Sequence, residues 1–125
     1  MIETQSDRAT HLAELIRWIG RPAEVVIDRP MGSMHPKFPA TVYPVNYGHV
    51  PGTMAPDGSE IDAYLLGVDQ PVERFHGRCI AVIERRADIE GKIVIVPAGQ
   101  ELTDDDISAA TRFQERFFDT LIRRA

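Results

Sequence analysis

The stretch from Tyr43 to Asp62 combines phenols with carboxylates. Its segment YPVNYGHV places Tyr43 and Tyr47 four residues apart, and its segment DGSEID places Asp57 and Asp62 around a Gly-Ser pair. On a regular strand both tyrosines would share one face, where a phenol can donate a hydrogen bond to a phosphate oxygen. Carboxylates are ligands for hard cations such as Mg²⁺. The alternatives are a half-buried aromatic pair and an ordinary Asp-Gly turn.

A second group of charged residues follows in the segment RRADIEGK, which carries Asp88, Glu90 and Lys92. Two carboxylate-bearing loops that meet at one end of a barrel could supply a magnesium site, because Mg²⁺ takes oxygen ligands and keeps several waters. The lysine beside them could bind phosphate oxygens. The same segment also fits a solvated hairpin tip, so its spacing alone leaves both readings open.

The segment IDRPMGSMHPK carries basic residues around a glycine turn. Arg29, His35 and Lys37 lie within nine residues, with Ser33 between them. Arginine and lysine bind phosphate oxygens well, and this loop leads directly into the strand that carries Tyr43. We therefore predict a phosphate-binding loop, and the alternative is a polar surface loop whose path is set by its prolines.

Composition narrows the classes of protein that this chain can belong to. Its 125 residues fit one domain, residues 1–125, with one core. A net charge of −5 is a poor basis for binding nucleic acid, so no nucleic-acid partner is expected. No apolar run reaches the roughly 18 residues of a membrane span, and the polar N-terminus does not resemble a signal peptide. The single cysteine, Cys79, cannot form a disulfide within the chain, so we predict that it packs in the core. A cytoplasmic location is expected, because a reducing compartment fits this cysteine content.

Five apolar runs bounded by turns predict five strands in the middle of the chain: AEVVIDR, TVYPVNYGHV, EIDAYLLGV, GRCIAVIERR and KIVIVPA. A helix is predicted before them over Thr10–Ile19 and another after them over Thr103–Arg123. Thr103 with Asp106 predicts a capping box at the start of the second helix, which explains the Asp run there better than metal binding does. The predicted fold class is α+β, mainly β: a five-stranded OB-type barrel with an N-terminal and a C-terminal helix.

The combination YPVNYGHVPGT…DGSEID resembles the soluble inorganic pyrophosphatases of Family I. That family has Tyr-Pro-x-Asn-Tyr-Gly followed, about ten residues after the second tyrosine, by Asp-x-Asp-x-x-Asp; Tyr47 and Asp57 have this spacing. The segment DIEGKIVIVP is similar to the family's Asp-x-Lys and apolar strand, and FQERFF to the start of its C-terminal helix. The resemblance covers about residues 24 to 119. It implies an OB-type barrel, several Mg²⁺ ions, a small-molecule phosphate substrate and a homo-oligomer.

The resemblance also implies roles for individual residues. Its implied metal ligands are Asp57, Asp62, Asp88 and Glu90, and its implied catalytic residues are Asp62, Tyr47 and Lys92. Metal-activated water would attack one phosphorus while Tyr47 and Lys92 neutralise the leaving phosphate. The predicted substrate-binding residues add the basic loop to the phenols and the lysine: Arg29, His35, Lys37, Tyr43, Tyr47 and Lys92.

The chain departs from the family pattern at several positions. Ser59 replaces the middle Asp of the acidic strand, which in the family helps to bind metal and to deprotonate the water. The loop before Lys92 is also shorter than usual. The other departures are His35 for an arginine, Glu24 and Val26 for a lysine and a glutamate, and Leu121 and Ile122 for a tyrosine-lysine pair in the C-terminal helix.

These features support several hypotheses about function. The first is Mg²⁺-dependent hydrolysis of inorganic pyrophosphate. The altered basic loop motivates a second, hydrolysis of another phosphoanhydride or phosphoester at the same site. Ser59 motivates a third, a non-catalytic protein that binds phosphate, a nucleotide or a metal. A fourth, binding of single-stranded nucleic acid by an OB-type barrel, is disfavoured by the net acidity and by the lack of a basic, aromatic-rich strand.

Overall fold

The computed structural model describes residues 5–56, 58–87 and 90–125, and the side chains from residue 9 onward within them. Within these ranges, two helices and six strands follow one another. Their order is α1 (Gln5–Ile16), β1 (Pro22–Arg29), β2 (Asn46–Val50), β3 (Ile61–Leu65), β4 (Arg74–Arg85), β5 (Lys92–Val96), α2 (Asp104–Glu115) and β6 (Thr120–Arg123). No helix in this part of the chain is long and apolar enough to span a membrane.

The first five strands close into a barrel. They are hydrogen-bonded in the order β1-β2-β3-β5-β4, and β1 pairs with β4 to close the ring. The β3–β5 pair is parallel and the others are antiparallel. Strand β1 can serve two neighbours because its first half pairs with β4 and its second half with β2. The predicted five-stranded OB-type barrel with flanking helices is therefore confirmed.

The barrel has an apolar interior and a partly apolar outer face. The interior cluster takes residues from all five barrel strands and from Leu15 of α1. Cys79 lies within it, buried and unpaired, and burial raises the pKa of its thiol to about 11. The predicted core role of Cys79 is thus confirmed. The outer cluster joins the opposite faces of β2, β3, β4 and β5 to Ile107 of α2.

Gly48 allows β1 and β2 to approach closely. A Cβ atom at this position would lie 1.8 Å from the carbonyl oxygen of Val26 and 2.8 Å from Cα of Ile27. Neither neighbour is a flexible side chain that could move aside, so only glycine fits between the strands here. The glycine after Tyr47 therefore has a structural reason that is independent of any chemistry.

The N-terminal helix was predicted at the wrong boundaries. It begins at Gln5 and ends at Ile16, whereas the sequence predicted Thr10–Ile19 with Thr10 as its cap. No glycine or proline between Gln5 and Thr10 stops the helix from extending backward. At the other end, the amides of Trp18 and Ile19 bond to carbonyls three residues earlier, so the chain tightens and leaves the helix before Gly20.

The C-terminal helix was predicted to be too long. The capping box at Thr103 is confirmed: its hydroxyl accepts from the Asp106 amide, and the Asp106 carboxylate accepts from the Thr103 amide. The helix nevertheless ends at Glu115, and Thr120–Arg123 form β6 against the far half of β4. The apolar residues of this segment match a strand edge as well as a helix face, and the open edge of the long β4 decides between them.

Candidate functional site

Three of the predicted site residues meet on the outer face of the barrel. Tyr47 of β2, Asp62 of β3 and Lys92 of β5 come from adjacent strands. The Lys92 ammonium donates to the Tyr47 hydroxyl at 2.5 Å and to Asp62 Oδ2 at 3.0 Å. The parallel pairing of β3 with β5 aligns Ala63 with Ile93, which brings Asp62 beside Lys92. The lysine side chain is 5% exposed and that of Asp62 is 34% exposed.

Burial and charge set the protonation of this group. Burial lowers the pKa of Lys92, and the neighbouring Asp62 carboxylate opposes that effect. Burial, together with the charge of Asp62 and a hydrogen bond to it, raises the pKa of Tyr47. The phenol therefore stays protonated at neutral pH and remains a hydrogen-bond donor. A buried ammonium beside a neutral phenol is an arrangement that suits phosphate oxygens.

A second ion pair lies next to the first. Arg85 at the end of β4 donates from Nε and Nη2 to the two oxygens of Glu115 in α2, each at 2.9 Å. Tyr64 donates to Glu115 Oε2 at 2.6 Å. Burial favours the neutral acid, but the hydrogen bonds from Arg85 and Tyr64 hold the pKa of Glu115 below its usual value. This pair fastens α2 to the barrel.

A series of hydrogen bonds connects the basic loop to this ion pair, and each group in the series donates to the next one. Arg29 donates to the Tyr43 hydroxyl, and Tyr43 donates to Gln114 Oε1 at 2.9 Å. Gln114 donates from Nε2 to the Tyr64 hydroxyl at 2.7 Å, and Tyr64 donates onward to Glu115. Each hydroxyl accepts one bond and donates one, so the series fixes the orientation of the Gln114 amide. The series positions Arg29 over the rings that lead to Tyr47.

Tyr43 and Tyr47 do not share a regular strand, contrary to prediction. Strand β2 begins at Asn46, and Pro44 and Val45 form a bend before it. The two rings nevertheless lie 5.8 Å apart, because Tyr43 packs edge-on against Phe113 of α2. The guanidinium of Arg29 lies 5.4 Å from the Tyr43 ring and 5.8 Å from the Tyr47 ring. Aromatic packing, and not strand periodicity, brings the phenols together.

The predicted basic loop contributes unequally to the site. His35 stacks on Tyr43 at 6.1 Å, and partial desolvation with the charges of Arg29 and Lys37 lowers its pKa. Lys37 is exposed, and its backbone amide donates to His35 Nδ1 at 3.0 Å. The loop therefore places Arg29 and His35 at the site, while Lys37 orients the histidine ring.

A cavity of about 720 Å³ opens between the loop, the outer face of the barrel and the end of α2. Its polar walls include Tyr47, Arg85 and Lys92, and His35 reaches it from the loop. The described walls include three cationic or titratable nitrogen groups and no carboxylate, so the cavity suits an anion. The remaining walls are mainly apolar and aromatic, with two polar residues among them. The apolar residues are Phe38, Ala40, Phe113, Phe117 and Phe118, and the polar ones are Thr41 and Gln114.

Two of the four predicted metal ligands, Asp62 and Glu90, lie among the residues that the structure describes. Asp57 and Asp88 lie outside the described residues. Glu90 is half-buried. One carboxylate oxygen of Asp62 accepts a hydrogen bond from Lys92, and about a third of the Asp62 side chain is exposed. No group of three or more His, Cys, Asp or Glu among residues 5–56, 58–87 and 90–125 could hold a metal ion. Asp62 fits magnesium as one of the one or two carboxylates that this ion commonly takes.

Ser59 and its neighbour Glu60 do not restore the carboxylate that the acidic strand lacks. Ser59 is exposed and its carbonyl accepts from the Ala55 amide at 2.6 Å. Glu60 Oε1 lies 3.5 Å from Nε2 of His49, whose Nδ1 is 2.8 Å from Asp28. The hydrogen bond to Asp28 is the main cause that raises the pKa of His49. Glu60 is thus turned toward His49.

Sequence reasoning missed part of the site. Arg85, Gln114, Glu115 and the aromatic wall were not predicted to take part. The segment FQERFF carried a signal, since Gln114 and Glu115 are polar residues between phenylalanines at the end of a helix. For Arg85 no local signal existed, because its role depends on β4 lying beside α2.

Leu121 and Ile122, which the sequence matched to the tyrosine-lysine pair of the family's C-terminal helix, do not lie in a helix. These residues belong to β6 and pair with Glu84 and Ile83 of β4. The residues that follow α2 at the cavity are instead Phe117 and Phe118. The Arg85 guanidinium lies 3.7 Å from the ring centre of Phe118. This end of the helix is therefore aromatic and apolar.

Comparisons with known proteins agree with the geometry. A family model described as inorganic pyrophosphatase matches residues 19–123. The inorganic pyrophosphatase of Neisseria gonorrhoeae is 25% identical, with a TM-score of 0.60 over 75% of this chain and 72% of that one. The enzymes of Ehrlichia chaffeensis (18% identity, TM-score 0.62, 82% and 84% covered) and Thermus thermophilus (18%, 0.58, 83% and 83%) share the fold. No curated protein sequence matches the chain.

Proposed function

The chain belongs to the inorganic pyrophosphatase family as an inorganic diphosphatase-like hydrolase, and we propose that it hydrolyses inorganic pyrophosphate with the help of Mg²⁺. The observation that carries this proposal is the buried Lys92 ammonium, held by Tyr47 and Asp62 on the floor of a cavity whose described walls contain no carboxylate. Burying an ammonium is costly. Asp62 supplies part of the negative charge that offsets this cost, and a bound phosphate would add to it.

The phosphate-binding groups have distinct tasks. Lys92 and the Tyr47 hydroxyl stabilise charge on the oxygen that leaves, because both are positioned before the substrate arrives. Arg29, held by its hydrogen bond to Tyr43, supplies positive charge beside the rings of Tyr43 and Tyr47. His35 is neutral over most of the physiological pH range, since its pKa is lowered, and donates or accepts a hydrogen bond there. Lys37 adds charge nearby from its exposed position.

We propose that Asp62 holds magnesium with Asp57, Asp88 and Glu90. A bound magnesium ion would lower the pKa of its water and neutralise charge on the phosphate oxygens. Lys92 donates to one oxygen of Asp62, which holds the Asp62 side chain in position. Ser59 offers no carboxylate, so the proton of the attacking water must go to a group other than the one that the family uses.

The test is phosphate release from pyrophosphate in the presence of Mg²⁺ by the wild type and by Asp62→Asn. We expect Asp62→Asn to lower kcat/KM about 100-fold or more, the effect of removing one electrostatic group from an active site. The matched control is Asp69→Asn, which changes an exposed Asp in the next connection. Circular dichroism checks that both variants fold. Activity of Asp62→Asn within threefold of the control would remove the assignment.

Ser59 favours one competing function, a non-catalytic phosphate-binding protein. In that case a folded wild type would bind pyrophosphate in a calorimeter and release no phosphate. Measurable turnover excludes this alternative. We further propose a cytoplasmic location, consistent with the unpaired Cys79, and a homo-oligomer, which sedimentation of the purified chain would test.

A further inference from the structure

The rim of the cavity carries exposed phenyl rings that pyrophosphate does not need. Phe38 is 62% exposed, Phe117 is 71% exposed and Phe118 is 42% exposed, and all three line the same cavity. Contiguous exposed apolar groups beside a polar floor mark a ligand-binding or interaction site. Pyrophosphate is a small, highly charged anion, and it gains nothing from contact with a phenyl ring.

The size of the cavity also exceeds what an inorganic anion requires. Its volume of about 720 Å³ lies within the range of roughly 300–1,000 Å³ that is typical for drug-sized organic ligands. Cationic groups and phenyl rings line the same cavity, with Arg85 3.7 Å from the ring centre of Phe118 and the His35 ring 5.0 Å from that of Phe38. A ligand that uses both kinds of group has an anionic part and a flat apolar part.

The aromatic walls are partly fixed in advance. Phe118 is held under the Arg85 guanidinium, and Phe113 is held edge-on by Tyr43 and Tyr64 at 5.1 and 6.2 Å between ring centres. Fixed flat rings favour a planar partner, because stacking adds to the gain from buried area. Phe38 comes from the basic loop and Phe117 from the turn after α2, so two separate segments offer rings to one ligand.

We propose that the site also accepts a nucleoside diphosphate, whose phosphates bind Lys92 and Tyr47 while its base packs on Phe38 and Phe117. This inference rests on the proposed function, since the same groups hold the anhydride. Water's oxygen forms a bond to the terminal phosphorus, and the bond from that phosphorus to the bridging oxygen breaks. Its electron pair stays on the nucleoside monophosphate, inorganic phosphate is the second product, and one proton goes to solvent.

The experiment compares ADP with pyrophosphate as substrates of the full chain, in the wild type, Phe38→Ala and Phe117→Ala. The readout is kcat/KM for ADP divided by kcat/KM for pyrophosphate. We expect each variant to lower this ratio about 5- to 150-fold, the size of effect for one base stacked on one aromatic ring. The control is Leu121→Ala, which shortens an exposed apolar side chain on β6 and should leave the ratio unchanged.

The outcomes separate this inference from the proposed function. Turnover of both substrates by the wild type, with a ratio that falls in Phe38→Ala and Phe117→Ala, supports the inference. Turnover of pyrophosphate without ADP, or an unchanged ratio in both variants, overturns it while the proposed function stands. Turnover of dimethylallyl diphosphate in place of ADP would overturn it too. So would a wild-type dimer that both variants convert to monomers with no change in ratio, since the rings would then be an interface.

Discussion

Replacing Glu115 by glutamine removes the charge that holds Arg85 and leaves the shape of the side chain almost unchanged. The carboxylate accepts three hydrogen bonds: two from Arg85 at 2.9 Å and one from Tyr64 at 2.6 Å. In Glu115→Gln one of the two oxygens becomes an NH₂ group, which donates. At least one of the three donors then faces another donor, and the Arg85 guanidinium loses its counter-charge.

The burial of this pair makes the expected effect large. The side chains of Arg85 and Glu115 are 9% and 6% exposed, so solvent screens them little. Disrupting a buried ion pair by changing one partner costs about 3–5 kcal/mol, a large part of the roughly 5–15 kcal/mol that stabilises a typical domain. The matched control is Asp119→Asn, which weakens the Arg86–Asp119 pair at 3.7 Å. Both of its side chains are more than half exposed, so the expected cost is about 0.2–1 kcal/mol.

Urea denaturation of the wild type and both variants, followed by circular dichroism, measures these differences. The pKa of Glu115 is lowered in the folded state, so its stabilisation is present above the unfolded pKa of about 4.3 and is lost as the pH falls through the folded value. The difference between the wild type and Glu115→Gln should therefore shrink in acid. A Glu115→Gln variant within 1 kcal/mol of Asp119→Asn at pH 7.5 would refute the reasoning.

Three further predictions concern the scaffold of the site. Gly48→Ala should lower the free energy of unfolding by about 1–3 kcal/mol, because the added Cβ would meet the Val26 carbonyl; a urea midpoint close to the wild type would contradict this. His49→Gln should lower the free energy of unfolding by about 0.2–1 kcal/mol at pH 5.5 and by less at pH 8.5. The hydrogen bond to Asp28 raises the pKa of His49, so the stabilisation by this pair is lost as the pH rises through the folded-state pKa. Equal losses at both pH values would argue against a stabilising pair. Thr103→Ala should cost about 1 kcal/mol in the same urea assay through loss of the cap, and no measurable change would show that the cap is dispensable.

The barrel was predictable because its strands carry local signals. Each appears as a short run of β-branched and apolar residues between turns, and the two patterns around Tyr47 and Lys92 identified the family. The C-terminal segment gave an ambiguous signal: Leu121 and Ile122 continue the helical spacing of α2, yet they also suit a strand. The segment forms a strand because the edge of β4 is free to pair with it. The pairing joins residues some forty positions apart in sequence, so it overrides the local helical preference.

The site was predictable only where a motif carried it. Tyr47, Asp62 and Lys92 were proposed from the resemblance to the family's motifs, and the structure places Lys92 within hydrogen-bonding distance of the other two. Arg85 and Glu115 were not found, because a charged residue at the end of a strand or a helix ordinarily indicates a solvated position. Their burial follows from the packing of α2 on the barrel, which no local pattern encodes.

The most direct test of the proposed activity is phosphate release from pyrophosphate by the purified wild-type chain, measured with Mg²⁺, then with EDTA, then with Mg²⁺ restored. We expect release with Mg²⁺, loss of release in EDTA and recovery when Mg²⁺ returns. A folded, monodisperse sample that releases no phosphate with Mg²⁺ would contradict the proposed hydrolysis. Release that continues undiminished in EDTA would contradict the role proposed for the carboxylates around Asp62.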